Sequence, residues 1–398
     1  MKAGWPVMKL GDVCQTGSGG TPLKAKKEYY ENGTIPWLLS GEVSQGEIRS
    51  ATTFITQKGL KNSSAKMFPK DTVLVAMYGA TAGQVGILRF EAATNQAVCG
   101  ILPSKHFVPE FLFYLMLSKK DQLVAQAAGN AQPNISQIKI KNTNVPIPPL
   151  PEQQRIVGIL DEAFDGIATA KANAEKNLQN ARALFESHLQ TVFTHRGEGW
   201  EQKLLASLCD PTRVITYGVI LLGGDVPGGV PCLRTSNVRW LRIDTEGIKR
   251  IAPSLSAEFG RTVLRGGEVL VNVRGTLGGV SVATPEMAGW NVSREVAVVP
   301  VEVSRINPEF VAYWIGAGVS QHWLGGVKKG AAYVGINIED LRLLPVKVPG
   351  PAKQLDIVRH LASMQTETHR LESIYRQKLA ALDALKKSLL DRAFTGVL

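Results

Sequence analysis

Cysteine is the first shortage: 398 residues contain only Cys14, Cys99, Cys209 and Cys232. No two of them form a Cys-x-x-Cys pair or a framework spacing. This argues against a disulfide scaffold or a cysteine zinc site and suits a reducing cytosol. No stretch reaches the roughly 18 apolar residues that a membrane-spanning helix needs. The opening Met1-Lys-Ala-Gly-Trp-Pro-Val7 carries no apolar run of signal-peptide length. A cytoplasmic chain with no membrane partner is expected.

Catalytic signatures are missing as well. Gly325-Gly-Val-Lys-Lys-Gly330 lacks the spacing of a nucleotide-binding P-loop, and Ile147-Pro-Pro-Leu150 is not the tetrapeptide of an amino-methyltransferase. Neither a Gly-x-Ser-x-Gly elbow nor a His-Glu-x-x-His helix occurs. Gly17-Ser-Gly-Gly20 and Gly223-Gly224 read as turns rather than phosphate loops. His188 and His195 could share a helix face, but no third ligand accompanies them. Cys14 and Cys209 read as small core hydrophobes and not as nucleophiles. The expectation is a chain that is not an enzyme, with no metal and no cofactor of its own.

What is present is length, apolar content and positive charge. Apolar residues make up 44% and charged residues 20%, enough to build cores, and the length suggests two or three domains. Lys plus Arg number 45 against 34 Asp plus Glu, for a net charge of +11. The excess is spread along the chain and not packed into a tail, and it favours a polyanionic partner.

The sequence also repeats. Trp5 to Cys14 resembles Trp200 to Cys209, and Pro36-Trp-Leu-Leu-Ser-Gly-Glu-Val43 resembles Pro231-Cys-Leu-Arg-Thr-Ser-Asn-Val238. Leu74-Val-Ala-Met-Tyr-Gly-Ala-Thr-Ala-Gly83 matches Leu270-Val-Asn-Val-Arg-Gly-Thr-Leu-Gly-Gly279, and Pro109-Glu-Phe-Leu-Phe-Tyr114 matches Pro308-Glu-Phe-Val-Ala-Tyr313. Gly129 pairs with Gly330, and Phe193-Thr194 with Phe394-Thr395. Matches in order at a period of half the chain indicate a tandem duplication of one large unit.

Each unit has two parts. The first holds β-branched runs, Thr72–Met77 and Glu268–Val273, that read as strands between glycine turns. It also holds a helix opened by Pro109 or Pro308, near 110–117 and 309–315. It closes in a proline-rich segment, Val145–Pro151 or Leu344–Pro351, expected to be an edge strand or rigid connector. The second part lacks internal proline. Ile156, Leu160, Ala163, Ile167, Ala170, Ala174, Leu178, Ala181, Leu184 and Val192 form one helical stripe. Leu355, Val358, Leu361, Leu371, Ile374, Leu382, Leu385 and Leu389 form another. The expected fold is α+β: globular domains at 1–150 and 200–349 in tandem repeat, separated by two long helices at 151–199 and 350–398. The economical packing is an antiparallel coiled coil in which the stripes cover each other, with one globule at each end.

Pro148-Pro-Leu-Pro-Glu-Gln-Gln-Arg-Ile156 opens the first long helix. With Trp5-x-x-x-Lys-Leu, the Gly79–Gly83 turn, Asn95-Gln-Ala97, Gly129-Asn-Ala-Gln-Pro-Asn-Ile-Ser136 and Leu189-Gln-Thr-Val-Phe193, echoed at Leu390–Phe394, the chain resembles the specificity subunit of a Type I restriction-modification system. The second copy departs from the motif, since Pro349-Gly-Pro-Ala-Lys-Gln354 loses the glutamate. The resemblance implies two target-recognition domains, each reading one half of a bipartite, gapped double-stranded DNA target, with the helices as a ruler. It implies two methyltransferase subunits that bind S-adenosylmethionine and modify adenine N6 by base flipping. Restriction subunits using ATP and Mg would complete the assembly.

Where the two copies share backbone-type residues but differ in polar side chains, the differing positions are candidates for reading different bases. Ser40, Gly41 and Glu42 face Thr235, Ser236 and Asn237, with Leu39 opposite Arg234. Tyr78 faces Arg274, Gln132 faces Tyr333, and Ser136 faces Asn337. Arginine grips guanine and asparagine or glutamine grips adenine, so Tyr78, Gln132, Arg234, Asn237, Arg274 and Tyr333 are the base-reading candidates, led by Arg274. Lys24, Lys26, Lys27, Lys61, Lys66, Lys328 and Lys329 are phosphate candidates, because lysine is a point charge. On resemblance alone, Glu152, Gln153 and Arg155 are candidates for docking the methyltransferase. Two other classes fit less of the sequence. A free-standing DNA-binding regulator or methyltransferase decoy would bind its site without partners, and a structural adaptor would bind proteins.

Overall fold

The computed structural model describes residues 5–126, 134–194, 199–328, 335–395 and 397–398. It divides into two compact units, Met1–Glu175 with Gln377–Leu398, and Lys176–Arg376. The division falls inside both long helices, so each unit holds one sheet-rich globule and a stretch of each helix.

In the first unit a five-stranded sheet runs Thr16–Ser18, Val98–Ile101, Val73–Ala76, Val85–Leu88, Glu47–Ile48. Its pairs are antiparallel except the last, where Glu47 lies beside Ile87 in parallel register. A four-stranded sheet, Phe54–Ile55, Ile35–Leu38, Ala92–Thr94, Met67–Phe68, lies in the same unit. The central strands are apolar and buried at every position, as short runs with a covered surface on both faces should be.

The second unit repeats the plan. Its main sheet runs Thr216–Tyr217, Val296–Val299, Val269–Asn272, Val280–Val282, all antiparallel. Its second sheet runs Lys249–Ile251, Val230–Leu233, Asn291–Val292. The parallel pair Trp37 with Ala93 in one unit is matched by Cys232 with Asn291 in the other. The predicted helices form at Pro109–Ser118 and Pro308–Gly316, each with proline in its first turn. The proline-rich segments are edge strands: Asn144–Pro146 pairs with Val7–Lys9, and Pro345–Val348 with Glu201–Leu204.

The long helices span Leu150–Thr194 and Pro351–Thr395. In the first unit Lys171 meets Asp383 at 2.7 Å, and Ile156 and Leu160 share a core with Leu390, Ala393 and Phe394. In the second, Arg182 meets Glu372 at 2.5 Å, and the Nε2 atoms of His188 and His360 lie 2.9 Å apart. In each unit the first helix advances as the second retreats, so the pairing is antiparallel.

The expected stripes need correction. Leu184 is 65% exposed, and Leu355, Ile374 and Leu385 are also exposed. The buried face of the first helix follows Ile156, Leu160, Ile167, Ala174, Ala181, Phe185, Leu189 and Phe193. The ends of the stripes cover each other and also reach into the globules. Phe185, Leu189, Phe193, Ile357, Val358 and Leu361 pack into the core of the second globule, and Ile156, Leu160, Ala393 and Phe394 into that of the first. The larger aromatic at 185 takes the inward position, and one residue is about 100° of helix rotation, which turns Leu184 outward.

All four cysteines are free and buried. Burial pushes the Cys14 thiol up to about 11, and Cys99, Cys209 and Cys232 to about 12. Among the described residues no helix is long and apolar enough to cross a membrane, and no cluster of three or more His, Cys, Asp or Glu could hold a metal.

Candidate nucleic-acid interface

In each globule the strand that carries the repeat motif runs out of the main sheet into a glycine-bounded loop. Tyr78 follows strand Val73–Ala76 and forms an isolated antiparallel bridge with Asn134. Arg274 follows strand Val269–Asn272 and forms the corresponding bridge with Gly335. Gly79 and Gly83 have φ of +71° and +82°, and Gly275 and Gly278 have +69° and +91°. These are left-handed conformations that glycine adopts without the penalty of a Cβ. Tyr78 is 39% exposed, and Arg274 is half-buried. Two different side chains therefore occupy one backbone position in the two copies.

The Arg274 loop is pinned from behind. Asn272, buried at the end of its strand, donates from Nδ2 to the carbonyls of Val238 (2.9 Å) and Thr276 (3.0 Å). The loop is thereby tied to the turn that holds Arg234 and Asn237. The Arg274 guanidinium sits 5.8 Å from the ring centre of Tyr217. Among the described residues no carboxylate forms an ion pair with it.

Asn237 is not free to read a base. It is 1% exposed, its Oδ1 accepts the Arg234 N–H at 3.0 Å, and its Nδ2 donates to the Asp244 carbonyl at 2.9 Å. Glu42 does the equivalent work in the first unit, accepting the Leu39 N–H at 2.8 Å. The position closes a turn in both copies, which corrects the expectation for Asn237. Asparagine's tendency to bond nearby backbone was the signal in the sequence. Arg234 is half-buried and donates from Nη2 to the Gly247 carbonyl at 3.0 Å. Ser136 and Asn337 stand at the N-caps of Gln137–Lys141 and Ile338–Arg342, and Ser136 Oγ accepts the Lys139 N–H.

Lys24, Lys26 and Lys27 are exposed at the single turn Lys27–Tyr29 and just before it. Helix Gln57–Lys61 packs against that turn: Lys58 pairs with Glu28 at 2.6 Å, and a Cβ on Gly59 would come within 2.6 Å of the Tyr29 carbonyl. The fold thus gathers the Lys24–Lys27 and Lys61 clusters, distant in sequence, on adjoining elements. Lys66 and Lys328 are exposed. Gln132, Lys329 and Tyr333 lie outside the described residues.

The docking triplet is divided. Gln153 is fully buried, donates from Nε2 to the carbonyls of His106 and Pro148, and accepts the Val108 N–H. Its side chain cannot meet a partner, so that expectation is corrected. Arg155 pairs with Glu152 at 2.7 Å and donates to the Leu398 carbonyl at 2.9 Å.

Two features went unnoticed in the sequence. Tyr217 was one, and its only signal is the strand register that places it near Arg274. The other is a cleft of about 240 Å³ in the second unit, lined by Arg182, Arg239, Trp240, Arg242 and Arg376. Its arginines come from three separate segments, so no run of charge betrays it.

Comparison with known proteins agrees with these observations. Residues 2–179 match the family described as the Type I restriction modification DNA specificity domain. The EcoBI specificity subunit of Escherichia coli is 24% identical over 330 residues, covering 77% of this chain and 69% of that protein. The EcoKI specificity subunit of Escherichia coli K12 is 24% identical over 417 residues, covering 99% and 89%. A solved chain from work on complex assembly and conformational transition of the type I R-M system aligns over 100% of this chain and 99% of its own, with TM-score 0.80 and 22% identity. That likeness supports the fold. Residues 2–179 thus match a Type I restriction modification DNA specificity domain, and the chain as a whole is similar to Type I restriction enzyme specificity subunits.

Proposed function

We propose that this chain is the non-catalytic DNA reader of a Type I restriction-modification enzyme, in which each globule recognises one half of a bipartite, gapped double-stranded target. The observation that carries this reading is the pair Tyr78 and Arg274. They occupy the same bridge position beside left-handed glycines, with unlike side chains. One scaffold used twice with different reading groups suits two unequal half-sites. Arg274 would grip guanine through paired N–H donors. The exposed lysines at 24, 26, 27, 61, 66 and 328 would neutralise phosphate, which fixes position without reading sequence.

The antiparallel helices set the gap between half-sites and dock two adenine-N6 methyltransferase subunits. A chain with an internal duplication can recruit two copies of one partner much as a symmetric dimer does. S-adenosylmethionine belongs to those subunits, and ATP with Mg to the restriction subunits that join through them. The test is long-read mapping of modified adenine in the host, with and without this chain. Loss of one bipartite, gapped motif on deletion is the expected result. An unchanged methylome in a host that carries an active adenine methyltransferase would refute it, and identical half-sites would refute the claim of unequal reading.

A further inference from the structure

We infer that Tyr217 is a positioning residue for base reading: its ring face attracts the Arg274 guanidinium and holds it where its N–H donors can meet DNA. The inference rests on the proposed reading of Arg274 as a base-contacting side chain, and adds the residue on which that reading's selectivity depends.

Three observations carry it. The guanidinium carbon lies 5.8 Å from the Tyr217 ring centre, within the range where a cation is attracted to an aromatic face. Among the described residues no carboxylate forms an ion pair with Arg274, so no salt bridge competes with the ring for its guanidinium. Tyr217 is 41% exposed, in the outermost strand of its sheet, so the pair faces solvent where a duplex could approach. A free arginine samples many rotamers, whereas one held at a ring face loses less freedom on forming two parallel hydrogen bonds. Attraction by the ring face leaves the donors at the guanidinium rim unspent.

Internal comparison supports the assignment. Tyr217 pairs with Ala297 in the second unit, and Ser18 pairs with Cys99 at the same register in the first. There the ring is replaced by a polar chain: Ser18 Oγ donates to Gln137 Oε1 at 3.1 Å, and Gln137 Nε2 donates to Thr16 Oγ1 at 2.8 Å. The two copies have therefore changed together at two places, with Ser18 and Tyr78 in one and Tyr217 and Arg274 in the other. A ring appears on the strand in the copy whose loop carries an arginine.

The test replaces the chain in its host by Arg274→Ala, Tyr217→Ala, Tyr217→Leu and Tyr217→Phe, and maps modified adenine at every variant of the wild-type motif. Arg274→Ala is expected to admit other bases at one position of one half-site. Tyr217→Ala is expected to lower discrimination at that same position by roughly three- to tenfold, with the other half-site unchanged. Tyr217→Phe keeps the ring and should retain the wild-type motif. If Arg274→Ala relaxes a position while Tyr217→Ala leaves the motif intact, the platform is wrong and the base-reading arginine stands. If Arg274→Ala leaves the motif intact, the base-reading assignment fails and this inference with it. Should Tyr217→Ala abolish modification altogether, Tyr217→Leu decides, because it keeps apolar cover without a π face. A motif relaxed at the one position supports the platform, and an intact motif overturns it. Equal relaxation in Tyr217→Phe would assign the effect to the hydroxyl and overturn the ring-face account.

Discussion

Gln153 and Gln354 make corresponding hydrogen bonds in the two units. Gln153 donates to the Pro148 carbonyl and accepts the N–H of Val108, the residue that caps helix Pro109–Ser118. Gln354 donates to the Pro349 carbonyl and accepts the N–H of Asn307, the cap of helix Pro308–Gly316. Each amide staples the first turn of a long helix to the start of a helix in its globule. The staple survives in the second copy although its motif has lost the glutamate, because the bonds require only the glutamine.

Replacing either glutamine with alanine should destabilise the unit that holds it by about 2–3 kcal/mol, since a buried backbone N–H and a carbonyl lose their partner together. Glutamate should be no better than alanine at position 153, because a carboxylate cannot donate to the carbonyls of His106 and Pro148. Chemical denaturation of the variants checks this, and a shift below about 0.5 kcal/mol would refute the staple.

Glu372 supplies a pH dependence. Burial works to raise its carboxyl, but the Arg182 hydrogen bond and the charges of Arg182 and Arg376 outweigh it and hold the pKa below the ordinary 4.5. A lowered folded-state pKa means stability that is complete above the ordinary carboxylate value and lost as pH falls through the folded one. Glu372→Gln should cost about 1 kcal/mol at neutral pH, after allowance for screening at the half-exposed arginines, and little in acid. Denaturation curves for both chains across the acid range should converge, and a constant gap would contradict the assignment.

The four thiols should be inert in the folded chain. Their pKa values, raised by burial to about 11 or 12, leave almost no thiolate at neutral pH. A disulfide-exchange reagent at about pH 8 should label none within minutes in native buffer and all four in guanidinium. Rapid native labelling of any one would show that its cover opens.

Lys328→Glu bears on the proposed DNA contact. The exposed Lys328 should act on phosphate, so the variant should weaken binding to all duplex sequences alike. The slope of log affinity against log salt should fall in magnitude by about one. A loss confined to the specific site would reassign the residue to base reading.

Much of the architecture was legible in the sequence because its signals are local. Proline at positions 109 and 308 starts helices, β-branched runs between glycines make strands, and the absence of proline beyond the first turn permits the helices Leu150–Thr194 and Pro351–Thr395. The duplication was readable by self-comparison and survived folding as matched bridges at Tyr78 and Arg274. Tertiary structure decided what local signals cannot. Leu184 and Phe185 are both apolar neighbours on one helix, and only the shape of the second globule's core turns Phe185 inward and leaves Leu184 in water. Asn237 has the chemistry of a base reader, but its amide is consumed by the turn it closes. Nothing local in the sequence marks Tyr217, whose ring comes beside Arg274 only through the pairing of its strand. Periodicity and turn chemistry act within a few residues, whereas burial and pairing depend on which distant segments share a surface.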